Sequence, residues 1–217
     1  MAYQYGQGPP GGYGVQPQPG YGAPGPGYGA QPPPPAGYGV GGFVSQPMID
    51  PQVQQWFMSV DLDRSGRITA MELQQALVNA NWSHFNPESC RLMIGLFDKD
   101  MSGTIELHEF QALWNYIQQW KGVFEQLDQN RSGSIDFNEL CNAYRQMGYN
   151  LSPQFAQTVI AKFDTMGRRS LTLDNFIQSC VMLKSLTDAF RSRDPTGTGT
   201  VRMGYEDFLT LAVFNKV

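Results

Sequence analysis

Oxygen-bearing side chains recur in this sequence at a spacing that suits a hard cation. Residues 61–72 place Asp61, Asp63, Ser65 and Glu72 at positions 1, 3, 5 and 12, with glycine at position 6. The same arrangement returns in two further segments, 98–109 and 128–139. Calcium prefers six to eight oxygen ligands, and a 12-residue loop supplies them from positions 1, 3, 5, 7, 9 and 12. The sequence therefore predicts three calcium loops.

Each loop contributes five candidate ligands, including a position-7 residue that offers only its backbone carbonyl. The candidates are Asp61, Asp63, Ser65, Arg67, Glu72, Asp98, Asp100, Ser102, Thr104, Glu109, Asp128, Asn130, Ser132, Ser134 and Glu139. The number of carboxylates favours calcium binding by the second loop, which also carries Glu106. Arg64 and Arg131 should slightly weaken calcium binding by the first and third loops. One alternative stays open for each loop: it could keep the shape yet bind calcium too weakly to matter.

Two degraded copies of the loop follow the three complete ones. In residues 164–175, the ligand and turn positions carry Met166, Arg168, Arg169 and Asn175, a set that cannot form a calcium cage. We call a loop with its two flanking segments a hand. We interpret this copy as a structural hand that pairs with the third.

The last copy is stretched, because it runs from Asp194 to Asp207 over 14 residues. Thr196, Thr198 and the short terminal aspartate are weak ligands, so we expect little or no calcium there. Such hands bury their apolar faces by pairing. Five hands leave one unpaired and predict a second polypeptide.

The loops begin at residues 61, 98, 128, 164 and 194, so their intervals alternate between 36 or 37 residues and 30. The short intervals contain no proline between the loops and predict one continuous amphipathic helix each, at 110–127 and 176–193. The long intervals are broken by capping residues followed by proline. These pairs, Asp50-Pro51, Asn86-Pro87 and Ser152-Pro153, start helices. The predicted fold is all-α, with about eight helices and short β-bridges between paired loops.

The first 47 residues have a different composition. They hold 14 of the 24 glycines and 11 of the 15 prolines, and no charged side chain precedes Asp50. Such a segment cannot offset its ordering entropy with a core, so residues 1–47 are predicted to be a disordered tail before a domain at 48–217. The tail could be an inert solvated segment, a calcium-modulated contact with membranes or partners, or a self-associating segment. It lacks the basic start and apolar run of a signal peptide.

Other reactive side chains are scattered. Cys90, Cys141 and Cys180 have no metal-site spacing, and we predict reduced thiols in a cytosolic protein. No nucleophile–base set is visible, so we expect no enzyme activity, and no basic cluster suggests nucleic-acid binding. The four tryptophans are expected in the core or between helices, although Trp114 and Trp120 could instead line a groove that opens with calcium.

Five hands, the alternating intervals and the Gly/Pro/Tyr-rich start together resemble the penta-EF-hand family. The segments 59–90, 114–121 and 147–155 are especially similar to one branch of it. The resemblance implies a homodimer or heterodimer with another penta-EF-hand protein through the fifth hand, here about 184–217. In that branch the partner is the apoptosis-linked member of the family, and calcium separates the heterodimer.

The resemblance also implies a role in traffic from the endoplasmic reticulum to the Golgi on coat-protein-II (COPII) vesicles, and a co-adaptor role for a cullin-type ubiquitin ligase. The implied location is the cytoplasm and the cytosolic face of the endoplasmic reticulum, with peripheral membrane association. Two alternatives remain at this stage: a regulatory subunit of a cysteine protease, like the calpain small subunit, or a passive calcium buffer.

Overall fold

Proline-led caps and calcium-type loops divide the chain into the helices that the sequence predicts. The computed structural model describes residues 49–214; the predicted tail at 1–47 and the last residues of the predicted dimer segment lie outside this range. The described helices are α1 Pro51–Val60, α2 Ala70–Ala76, α3 Pro87–Phe97, α4 Leu107–Leu127, α5 Phe137–Gln146, α6 Pro153–Phe163, α7 Leu173–Arg191 and α8 Tyr205–Phe214.

The three predicted helix starts are confirmed by their capping geometry. Asp50, Asn86 and Ser152 are the N-caps of α1, α3 and α6, and each side chain accepts a backbone N–H from the first turn. Proline follows each cap, where its missing N–H leaves no hydrogen bond unmade. Both long helices are also confirmed, because α4 and α7 each run unbroken from one hand into the next.

The calcium-type loops meet in pairs through single antiparallel bridges. Ile68 pairs with Ile105, and Ile135 pairs with Leu171, with both backbone hydrogen bonds at 2.8–2.9 Å. All four side chains are fully buried. Hand one therefore pairs with hand two and hand three with hand four, whereas Val201 of the fifth loop forms no bridge within the described residues.

Two apolar clusters form the core, one for each pair of hands. The first contains Phe57, Met93 and Phe110, and the second contains Leu140 and Phe163. The clusters meet along α4 and α7. Trp120 and Leu173 pack against both clusters, and Ile177 of α7 belongs to the first while Phe176 belongs to the second.

A buried polar network joins the two pairs of hands. The Asp174 carboxylate accepts the backbone N–H of Asn86 at 2.7 Å and the Thr172 hydroxyl at 2.6 Å. The Ser89 hydroxyl donates to the backbone oxygen of Asp174 at 3.2 Å. The start of α3 is thereby fixed to the start of α7. No helix in the described range is long and apolar enough to cross a membrane.

Candidate calcium-binding sites

The aspartate at position 1 organises each complete loop. Asp61 accepts the backbone N–H of Ser65 on Oδ1 and that of Gly66 on Oδ2, both at 2.9 Å. The second and third loops repeat these bonds: Ser102 and Gly103 donate to Asp98 at 2.9 and 2.7 Å, and Ser132 and Gly133 donate to Asp128 at 2.9 and 2.8 Å. The same amides therefore hold the first carboxylate of every loop.

The glutamate at position 12 closes each loop from the opposite side. Glu139 Oε1 accepts the N–H of Gln129, at position 2, and Oε2 accepts the N–H of Asp136, the N-cap of α5, both at 3.0 Å. Glu72 and Glu109 make the equivalent pairs of bonds at 2.8–3.1 Å. Because the glutamate is the third residue of its helix, helix capping and loop closure depend on one side chain.

These contacts bring the acidic groups of each loop together. In the first two loops, the carboxylates at positions 1, 3 and 12 each offer an oxygen within 4.8 Å of the others. Such a spacing fits oxygens around one calcium ion at 2.3–2.6 Å. The third loop has the same backbone bonds, with the neutral Asn130 at position 3 accepting the Ser132 N–H at 2.8 Å. The donor sets fit calcium.

Hydrogen bonds favour the ionised state of several of these carboxyls. The Ser65 hydroxyl and backbone N–H lower the pKa of Asp63, and Ser102 does the same for Asp100. Burial opposes ionisation of Glu72, yet hydrogen bonds from Thr69 and Leu62 hold its pKa below the ordinary value. Calcium requires deprotonated carboxylates, so these loops keep their acidic ligands in the form that the ion binds.

The fourth loop keeps the shape and loses the ligands. Asp164 still accepts two backbone amides, from Met166 at 3.0 Å and Arg169 at 2.6 Å. Gly167 stands at position 4, and Arg169 takes the left-handed conformation that glycine supplies at position 6 of the other loops, with φ of 57°. The predicted structural pairing of this hand with the third is confirmed by the Ile135–Leu171 bridge.

The fifth loop keeps only its first half. Asp194 accepts the N–H groups of Thr198 at 3.0 Å and Gly199 at 2.7 Å, as in a complete loop. Asp207 is the third residue of α8 and accepts the Gly204 N–H at 3.2 Å. Closure as in the other loops cannot occur, because position 2 is Pro195, which has no N–H.

The exit helix of the fifth hand exposes its apolar side chains. Phe208, which directly follows the terminal aspartate, is 54% exposed, whereas the equivalent Phe110, Leu140 and Phe176 are at most 2% exposed. Tyr205 and Val213 on the same helix are 75% and 60% exposed. Every described side chain of α8 is exposed or half-buried. The face that the other hands bury is thus uncovered here.

Comparison with known proteins agrees with this geometry. A family model described as an EF-hand domain pair matches residues 49–114 and 117–181. Sorcin from Mus musculus is 38% identical over 179 residues, which cover 79% of this chain and 89% of sorcin. The chain belongs to the penta-EF-hand family of calcium-binding proteins.

Other members of the penta-EF-hand family are also similar to this chain. Peflin from Homo sapiens is 50% identical over 175 residues, which cover 80% of this chain. The chain spans 61% of the length of that peflin. A solved structure of a homologue of programmed cell death 6 protein from Leishmania major Friedlin is 30% identical, with a TM-score of 0.67, and covers 75% of this chain and 93% of its own.

One tryptophan of this penta-EF-hand protein departs from the expectation. The rings of Trp56 and Trp114 pack at a tilt of 46° with their centroids 4.2 Å apart. The Trp120 ring meets the Phe176 ring edge-on with centroids 5.8 Å apart, so these three tryptophans are packing residues. The expectation of a packed position is wrong for Trp82, which is 89% exposed. It occupies a turn with φ of 66°, between the two sides of the Val78–His84 bridge, and the turn directs the indole outward.

Sequence reasoning also missed a contact between the two loops of the first pair. The Arg67 side chain, at position 7 of the first loop, forms an ion pair with Glu106 of the second. A position-7 residue coordinates calcium through its backbone carbonyl alone, so sequence reasoning assigned no role to the Arg67 side chain. The only signal in the sequence was the opposite charge of Arg67 and Glu106, which the Ile68–Ile105 bridge makes neighbours.

Proposed function

We propose that this chain is a cytosolic calcium sensor and adaptor that dimerises through its fifth hand. The observation that carries the sensor function is the closing glutamate of each complete loop. Glu72, Glu109 and Glu139 connect the calcium position to the first turn of α2, α4 and α5. An ion coordinated by these carboxylates must change their hydrogen bonds to the backbone at the start of each helix. A sensor requires such a coupling between ion binding and helix geometry.

The proposed ligands are those of the first three loops, with calcium binding in the sensor range of about 10⁻⁷–10⁻⁵ M. Two or three carboxylates and a hydroxyl converge in each loop, while the fourth loop has a thioether and arginines at the same places. The fifth loop is proposed to stay empty at sensor concentrations, because Asp207 is short and Pro195 cannot bond to it.

Dimerisation is supported by the uncovered face of the fifth hand. The core position that is buried in hands two to four is 54% exposed at Phe208, and Leu209 and Val213 are 40% and 60% exposed beside it. Burial of such side chains contributes about 1.5–3 kcal/mol each. A fifth hand from a second chain would supply the missing bridge partner for Val201, as the other loops do for each other.

The finer function rests on the resemblance to peflin. We propose a heterodimer with the apoptosis-linked penta-EF-hand protein, a role in COPII vesicle transport from the endoplasmic reticulum, and a co-adaptor role for a cullin-type ubiquitin ligase. The proposed location is the cytoplasm and the cytosolic face of that membrane. The 50% identity with human peflin supports these proposals.

Light scattering during a calcium titration tests the proposal, with the chain alone and mixed with the apoptosis-linked partner. A mixed dimer that separates at micromolar calcium is the expected result. Phe208→Ser should weaken either dimer, whereas Met58→Ser, which removes a side chain on α1 that is 61% exposed, should not. A calcium-insensitive monomer would refute both the dimer and the switch.

A further inference from the structure

The Arg67 guanidinium lies in the second calcium loop, although Arg67 belongs to the first. Its Nη1 donates to the Thr104 hydroxyl at 3.4 Å. Its Nη2 pairs with Glu106 and lies 3.6 Å from Asp100 Oδ2. These three residues hold positions 3, 7 and 9 of the second loop, three of the six ligand positions of a calcium loop.

The bridge between the loops explains how the side chain reaches so far. Ile68 and Ile105 exchange both backbone hydrogen bonds at 2.9 Å, which places Arg67 opposite Glu106 in an antiparallel pair. The Arg67 carbonyl meanwhile accepts the Ser65 hydroxyl at 2.9 Å inside its own loop. The Arg67 backbone thus contacts the first loop, and the Arg67 side chain contacts the second loop.

We propose that Arg67 is an intramolecular competitor for calcium at the second loop, and that it sets the affinity of that loop below what its carboxylates would give. The inference rests on the proposed calcium binding and refines it. A guanidinium that pairs with Glu106 and lies 3.6 Å from Asp100 must move away when a divalent ion binds beside these carboxylates, or it repels that ion. The charge count that favours the second loop omits this cation.

The expected magnitude follows from distance and exposure. A unit charge about 6 Å from a divalent ion in a water-like dielectric weakens binding by roughly tenfold. The side chains of Arg67, Asp100 and Glu106 are 41–48% exposed, so solvent screens the repulsion between the guanidinium and the ion. We therefore expect calcium affinity to change by at least about threefold. Added salt should reduce the effect, because the charges are open to solvent.

The test is a calcium titration followed by NMR at the amides of Gly66, Gly103 and Gly133, one reporter for each complete loop. The variant is Arg67→Gln. Its matched control is Arg64→Gln, which removes the same charge from the same loop at a position that forms no ion pair among the described residues. Arg67→Gln should tighten binding at the Gly103 reporter by about three- to tenfold, and by more than the control does.

A second readout separates competition from a structural role. Without calcium at low salt, Arg67→Gln should unfold at a lower temperature than Arg64→Gln, because the acidic second loop loses its internal cation. Lower ion-free stability together with tighter calcium binding supports the competitor. Binding at Gly103 that is unchanged relative to the control, or weaker, overturns it.

The calcium range of the unaltered protein is a separate result. If no reporter responds below about 10⁻⁴ M calcium, the sensor function fails. The titration can then be extended to millimolar calcium, where the two variants still differ at Gly103 if Arg67 competes.

Discussion

Replacing Glu139 with glutamine should lower the free energy of unfolding both without and with calcium, and the two losses can be measured separately. Glu139 is only 6% exposed, and its carboxylate accepts the Gln129 and Asp136 N–H groups at 3.0 Å. Glutamine keeps one acceptor and turns an NH₂ group toward the other donor. Hydrogen bonds to charged groups contribute about 1.5–3 kcal/mol, so the ion-free variant should lose about 2 kcal/mol of unfolding free energy.

The second loss appears only with calcium. At a calcium concentration 100 times the dissociation constant, one site stabilises the fold by about 2.7 kcal/mol. Glu139→Gln removes a charge and the paired oxygens of position 12. If this weakens the third site about 100-fold, the calcium-dependent gain from that site falls to about 0.4 kcal/mol.

Urea unfolding followed by circular dichroism, with chelator and with calcium, measures both losses. Glu125→Gln is the control: it makes the same chemical change at an exposed α4 residue whose only described ion pair, with Lys121, spans 3.9 Å. Its effect should stay below about 1 kcal/mol in either condition. The reasoning is refuted if the two variants lose the same amount of calcium-dependent stabilisation.

Three further predictions concern the fifth loop, the thiols and the core. Asp194→Ala should leave calcium stoichiometry unchanged in calorimetry, and the loss of a tight site would contradict the assignment. Burial raises the pKa of Cys90 and Cys180 to about 12, so near pH 8 both stay protonated and iodoacetamide should label the half-buried Cys141 first; equal labelling before unfolding would be inconsistent with this. Phe176→Ala, at a fully buried ring against Trp120, should cost about 3–5 kcal/mol in urea unfolding, and a loss under 1 kcal/mol would count against the shared core.

Local signals made most helix boundaries and loops predictable. Asp50, Asn86 and Ser152 are capping residues before proline, and their effect on the backbone depends on the next few residues alone. The complete loops are also local, because position 1 and position 12 bond to amides within the same loop. The pairing of loops followed from the need to bury Ile68 and its equivalents.

Contacts between distant segments were beyond the reach of such signals. The Arg67 contact needs the register of the loop bridge, and the Asp174 network joins residues 88 positions apart in the chain. Trp82 was misjudged because indoles are usually packed, while its exposure follows from a left-handed turn. A left-handed tryptophan is rare enough that its sequence gives little warning of it.

The fourth loop shows what a hand can do with residues that do not suit calcium. Asn175 stands where the complete loops have glutamate, and it is 3% exposed. Its amide oxygen accepts from the Asn86 side chain, and its NH₂ group donates to Thr165 at 3.4 Å. An ionised glutamate could accept both ways but could not donate to Thr165. The amide therefore connects the loop to the N-cap of α3 through direct hydrogen bonds, and the neighbouring Asp174 accepts a further one from the backbone of Asn86. The junction between the two pairs of hands is thus made by side chains outside the three complete loops, so we expect the pairs to stay joined whether or not those loops hold calcium.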